Sequence, residues 1–217
     1  MPPTLILDLD GTLVDSVPDL ASALNRLLRT RDLPPFDRAE VASMVGNGAR
    51  ALVTRAFAAR NQGCGEAELD AFMADYLDNI AVETRPFPGA PDTLRQLAAD
   101  GWLLAVCTNK PVKAARSLLD ALALTPLFAA IGGGDSFPVR KPDPGHLLGT
   151  LAAAGGTAES AIMVGDHEND VMAANAAGLP CIFAAWGYGP PAMAAGSAAI
   201  AQSFTDLPEL AKGLLGV

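Results

Sequence analysis

Residues 4–12 read Thr4-Leu5-Ile6-Leu7-Asp8-Leu9-Asp10-Gly11-Thr12, an apolar run that ends on two carboxylates and a glycine. Leu5-Ile6-Leu7 has the character of a strand buried on both faces. Residues two apart on a strand share a side, so the spacing sets Asp8 against Asp10. Their charges repel unless a cation or a shared proton intervenes. A divalent metal is the remedy that this spacing suggests.

Beyond the Asp pair the pattern turns helical. From Val17 to about Thr84 helices are expected over 19–29, 38–45, 48–60 and 66–82, the first with Leu20, Leu24, Leu27 and Leu28 on one stripe. Asn47 reads as the N-cap of the third. From Phe87 onward helices over 91–99, 112–122, 144–153, 169–177 and 206–215 alternate with strands over 102–107, 129–132, 161–164 and 180–184. The alanine-rich stretch 192–201 gives no assignment. Such alternation predicts an α/β fold, a doubly wound and mainly parallel sheet with a Rossmann-like core. Residues 1–14 and 86–217 form that core, and residues 15–85 an inserted all-helical cap domain. Ligands of such a sheet collect at the carboxyl ends of its strands.

Composition limits the functions open to the chain. Its 217 residues carry a formal net charge of −9, with 18% charged and 6% aromatic residues. That balance argues against a nucleic-acid surface, which needs clustered Lys and Arg. Cys64, Cys107 and Cys181 are scattered, with no zinc-like spacing, and read as reduced packing residues. No leader pattern precedes the first strand, and no run approaches the roughly 20 apolar residues that span a bilayer. A cytoplasmic protein with no membrane or nucleic-acid partner is expected, as monomer or homodimer.

Four short motifs fall at the carboxyl ends of four expected strands. Asp8-x-Asp10-Gly11-Thr12 offers a carboxylate able to attack phosphorus. Thr108-Asn109-Lys110 offers a hydroxyl and backbone amides leading into a helix, which suits a phosphate. Lys141-Pro142-Asp143-Pro144 fixes an ammonium: Pro142 holds Lys141 extended, while Asp143 and Pro144 look like an N-cap and a first helical residue. Gly165-Asp166-His167-Glu168-Asn169-Asp170 supplies two oxygen donors of the kind magnesium takes.

In this order and at these intervals the motifs resemble those of the haloacid dehalogenase superfamily of phosphatases, over nearly the whole chain. Phe87-Pro88-Gly89, Thr108-Asn109-Lys110-Pro111, Lys141-Pro142-Asp143-Pro144, Gly187-Tyr188-Gly189 and Gly46-Asn47-Gly48-Ala49-Arg50 narrow the likeness to phosphoglycolate phosphatases. The resemblance implies hydrolysis of a small anionic phosphate ester through an aspartyl-phosphate, with 2-phosphoglycolate as substrate. It implies Asp8 as nucleophile and Asp10 as the acid, then the base. It implies Thr108 and Lys141 on the phosphoryl group, with Asn109 beside them. Magnesium would be held by Asp8, the Asp10 carbonyl and Asp166, with Asp170 ordering the metal shell or Lys141. His167 departs from the small hydroxyl residue common at its position.

The remaining residues carry weaker signals. Arg50, in a first helical turn where the dipole disfavours a cation, is a candidate receptor for a substrate carboxylate. Lys110 either neutralises substrate from the rim or faces water. His146 and His167 read as surface residues, Glu168 as solvated, Cys107 and Met163 as core. A phosphatase or mutase of another small sugar phosphate stays open, because the core motifs do not separate it. A dehalogenase has no use for Asp10, and a P-type pump needs membrane spans. A phosphoacceptor signalling module places its motifs in another order.

Overall fold

The computed structural model describes residues 2–216. β1 (Thr4–Leu7) leads through β2 (Val14–Asp15) into four helices, α1 (Val17–Arg29), α2 (Arg38–Ala42), α3 (Ala49–Ala59) and α4 (Glu66–Asp78). The chain returns at β3 (Arg85–Pro86), which pairs antiparallel with β2. There follow α5 (Ala90–Ala99), β4 (Leu103–Cys107), α6 (Val112–Ala121), β5 (Ala130–Gly132), α7 (Pro144–Ala154) and β6 (Ala161–Gly165). The chain closes with α8 (Glu168–Ala176), β7 (Cys181–Ala184), β8 (Ala199–Ala201) and α9 (Leu207–Leu215).

Six strands form one parallel sheet in the order β5-β4-β1-β6-β7-β8. Alternate side chains of each strand enter different cores, as the pleat requires. Leu5 and Leu7 join Leu104, Val106, Ile162 and Val164 under α5, α6 and α9, through residues such as Leu94, Leu118 and Leu207. Ile6 joins Ala105, Cys107 and Met163 beneath α7 and α8, through Leu147, Leu151 and Val171. Helices therefore cover both faces, and the expected doubly wound α/β architecture is present. Strand order reverses at β1, which opens a crevice at the carboxyl ends of β1, β4 and β6. No helix among the described residues is long and apolar enough to cross a membrane.

The helical insert is fastened at its root. The buried Asp19 carboxylate on α1 accepts hydrogen bonds from the amides of Glu83 (3.0 Å) and Thr84 (2.8 Å) and from the Thr84 hydroxyl (2.7 Å). Farther out, Arg26 on α1 forks onto Asp75 of α4 at 2.7 and 2.9 Å. The stripe Leu20, Leu24, Leu27 and Leu28 is buried as its spacing predicts.

Several expectations from sequence need correction. The helix expected over 38–45 ends at Ala42, and the one expected over 66–82 ends at Asp78. Gly48, at φ +84°, is the N-cap of α3, because Asn47 turns its side chain to the sheet side. β2 and β3 escaped detection because two-residue strands show no periodicity. β8 lies in the unassigned alanine-rich stretch, where Ile200 alone between two alanines is too little to mark a strand.

Asp19→Asn should lower the free energy of unfolding by about 2–3 kcal/mol, since an amide turned against three donors cannot satisfy them all. A urea titration would show the midpoint falling at unchanged slope. A change under about 0.5 kcal/mol would contradict the clamp.

Candidate active site

Asp8 follows β1 directly, its amide donating to Val164 O of β6 at 2.9 Å. Its Oδ1 accepts from the Leu9 amide at 2.7 Å and lies 3.0 Å from Lys141 Nζ. Lys141 also donates to Asp170 Oδ1 and to the Cys107 carbonyl, each at 2.6 Å. Two of its donors are thus spent on hydrogen bonds, while the Asp8 contact is an ion pair. Asp166 stands at the end of β6, where Thr12 Oγ1 donates to Oδ1 and the Tyr188 amide to Oδ2, at 2.7 and 2.8 Å. Asp8, Asp166 and Asp170, all buried, offer oxygens within 4.8 Å of one another.

The electrostatics follow from that crowding. Burial and the nearby Asp8 charge push the Asp166 carboxyl up to about 6, against the pull of the Thr12 hydroxyl and the Tyr188 and Gly189 amides. Burial also lifts Asp170, opposed by Lys141. Burial disfavours the Lys141 ammonium, but Asp170 and Asp8 outweigh it and raise the lysine above its usual range.

Asp10 belongs to a separate group, which corrects the expectation that a metal keeps Asp8 and Asp10 apart. β1 ends at Leu7, so the two side chains are not locked on one face by strand pleating. Each acid has its own lysine. Asp10 accepts from Ser16 Oγ at 2.6 Å and from Lys110 Nζ at 3.0 and 3.2 Å. Lys110 is neither at the rim nor facing water: it is 5% exposed and also donates to the Tyr76 hydroxyl of α4 at 2.8 Å. The cluster of oxygens suited to a cation is Asp8, Asp166 and Asp170, without the Asp10 side chain.

Thr108, buried at the end of β4, accepts from the Lys110 amide at 3.2 Å. Asn109 donates to the carbonyls of Lys141 (3.0 Å) and Gly46 (3.1 Å), so it ties the third motif to the helical insert. Asn169 does the same from α8, donating to Asn47 Oδ1 at 3.0 Å. Gly46, at φ +112°, lies against His167; a Cβ there would stand 2.8 Å from its Nε2. A small cavity of about 30 Å³ remains between insert and sheet, with Asp8, Asp10, Thr108 and Lys110 on one wall and Leu52, Phe72 and Met73 on the other.

Three residues lie elsewhere than expected. Arg50 is not brought to the cavity that Asp8 lines: it is exposed and forks onto Glu66 at 2.6 and 2.8 Å. His146 is fully buried rather than at the surface. Its Nδ1 accepts from the Lys141 amide at 3.2 Å, and burial with the Lys141 charge lowers it to about 4. His167 is half-buried, and its Nδ1 caps α8 by accepting from the Asn169 amide at 3.1 Å. Asp143 caps α7 as anticipated, through the Gly145 amide at 2.8 Å.

The sequence motifs assign no role to the side chains of Ser16, Tyr76, Asn169 and Tyr188, though Asn169 and Tyr188 lie within them. Ser16 precedes Val17-Pro18 in the manner of an N-cap, yet its hydroxyl serves Asp10. The Tyr188 hydroxyl takes over the cap, accepting from the Ser16 and Val17 amides at 2.8 and 3.1 Å and donating to Asp15 Oδ1 at 2.8 Å. Its place between Gly187 and Gly189 marks a turn but not the helix it caps. Tyr76 looks like any aromatic in a helical stripe. Gly11, at φ +88°, is required where it stands, because a Cβ would run into Asp166 Oδ2 and Tyr188.

Comparison with known proteins agrees with this geometry. The family model of haloacid dehalogenase-like hydrolases matches residues 2–178. A phosphoglycolate phosphatase of Caulobacter vibrioides is 42% identical over 217 residues, spanning 98% of this chain and 92% of its own. That of Agrobacterium fabrum is 45% identical over 190 residues, spanning 86% and 82%. The crystal structure of a predicted phosphoglycolate phosphatase from Haemophilus somnus superposes with a TM-score of 0.88 at 33% identity, covering 96% of this chain and 97% of that one. With Asp8 at its strand end, a buried lysine and an acidic triad on that common fold, the chain belongs to the haloacid dehalogenase-like hydrolase family.

Proposed function

We propose that this chain is a magnesium-dependent phosphomonoester hydrolase that acts on 2-phosphoglycolate through an aspartyl-phosphate on Asp8. The observation that carries the reading is Asp8 itself, buried beside Lys141 and within the triad of carboxylates, yet lining a cavity under the helical insert. The substrate rests on likeness to the phosphoglycolate phosphatases named above.

The chain's own residues supply most of the chemistry. Asp8 Oδ1 is held by Leu9 and Lys141, while no donor among the described residues reaches Oδ2, which is therefore the oxygen free to attack or to bind a cation. Thr108 Oγ1 accepts from the Lys110 amide and keeps its own proton for a phosphoryl oxygen. Lys141 faces the same group with a fixed positive charge. Phosphoryl transfer gains mainly from such positioning and charge. Asp10 protonates the leaving oxygen and later takes a proton from water. Residues 15–85 act as a cap that excludes water until the phosphoenzyme forms.

The donor set fits magnesium. Three carboxylates and one ammonium leave a net charge of −2 when all are ionised, and every donor is oxygen. Asp8, Asp166 and the Asp10 carbonyl would hold the ion, with Asp170 steadying Lys141. Bound there, it supplies positive charge to the oxygens of the transferring phosphoryl group.

Phosphate release from a panel of metabolite esters tests the substrate: 2-phosphoglycolate should turn over faster than any sugar phosphate, and equal rates would withdraw that assignment. Asp8→Asn should cost at least about 1000-fold in kcat while the thermal midpoint stays within a few degrees of wild type. Appreciable turnover by that variant would remove Asp8 as nucleophile. A proton on Asp166 competes with the metal, so calorimetric magnesium affinity should level off above pH 6 and weaken below it by up to about tenfold per pH unit. Constant affinity from pH 7 to 5 would contradict Asp166 as a ligand.

A further inference from the structure

The proposed reaction employs Lys141 and leaves a second buried ammonium without a task. Lys110 Nζ engages both oxygens of Asp10 and the Tyr76 hydroxyl, and stands 4.5 Å from the Tyr76 ring centre. Among the described residues it is the one cation lining the cavity between insert and sheet. A buried ion pair contributes little net stability over an apolar pair of the same volume, so packing alone gives no reason for a charge here. Placed as it is, Lys110 also occupies the two oxygens that Asp10 needs for the leaving group.

We infer that Lys110 determines specificity: as substrate enters, its ammonium passes from Asp10 to a carboxylate on the leaving-group side of the ester, and Asp10 is released for its own role. This rests on the hydrolase reading above. The lining favours a carboxylate over other groups. One ammonium with one phenolic hydroxyl matches a single negative charge shared by two oxygens. A second phosphate would find no second cation in the cavity wall, since Arg50 lies outside it on Glu66. The hydroxyls of a sugar would meet Leu52, Phe72 and Met73, which offer no hydrogen bonds. Tyr76 stays on Lys110 throughout, its ring parallel to Phe72 at 5.9 Å.

Steady-state kinetics with 2-phosphoglycolate, ethyl phosphate and ethane-1,2-diyl bisphosphate test the inference on one two-carbon frame. The wild-type protein should prefer 2-phosphoglycolate in kcat/KM over both others. Lys110→Met should reduce its preference over ethyl phosphate by about 10- to 100-fold, the range for one hydrogen bond to a charged group, and Lys110→Arg should restore part of it. A parallel fall on both esters, a wild-type preference for the bisphosphate, or no wild-type preference for the carboxylate would overturn the inference. If no ester is hydrolysed by wild type, the hydrolase reading goes and takes the inference with it; a parallel fall removes the inference alone. Should Lys110→Met fail to fold in a thermal melt, Tyr76→Phe decides, since it removes only the hydroxyl that holds Lys110. It should narrow the same ratio by about threefold or more, and an unchanged ratio would refute the assignment.

Discussion

The architecture of the site depends on one ammonium. Lys141 reaches the Asp8 carboxylate after β1, the Cys107 carbonyl at the end of β4 and the Asp170 carboxylate on the helix after β6. Three adjacent strands of the sheet are thereby stitched at their carboxyl ends by a single buried side chain. An unpaired charge in that position would be costly, so the surrounding carboxylates and the lysine require one another. The same arrangement leaves an excess of negative charge close to Asp8, which an approaching phosphate ester must overcome.

A second level of organisation ties the chemistry to the insert. Asn109 and Asn169 donate to the Gly46-Asn47 stretch, and Gly46 rests on His167 without room for a side chain. Tyr188 links the Asp166 carboxylate, through its amide, with the start of α1, through its hydroxyl. Acidic site residues and insert therefore share polar partners through Asn109, Asn169 and Tyr188. Asp10, clasped by Ser16 from the root of the insert and by Lys110 beneath α4, sits where these connections meet.

Much of this was legible in the amino-acid sequence. The buried strands announced themselves as short apolar runs, and the motifs at their ends drew attention to Asp8, Thr108, Lys141 and Asp166, which the fold brings to one sheet edge. What escaped notice depends on partners remote in sequence. Nothing near Lys110 indicates that Tyr76 and Asp10 will bury it, and nothing near Tyr188 indicates that its hydroxyl will cap a helix that starts at Val17. Arg50 shows the reverse error: its place in a first turn suggested a ligand, but Glu66 lies within reach on the neighbouring helix. Local spacing identifies groups with chemical potential; tertiary contacts decide how they are spent.

The β2–β3 ribbon brings Asp15 and Arg85 side by side, so the helical insert leaves and rejoins the sheet through adjacent points. A segment with neighbouring ends behaves as an exchangeable cassette, because its replacement does not alter the register of the strands on either side. Evolution can then exchange the helices of the insert while the sheet and the residues at its carboxyl ends are inherited intact. Descendants of one ancestral chain would diverge first in the insert and last in the sheet beneath it.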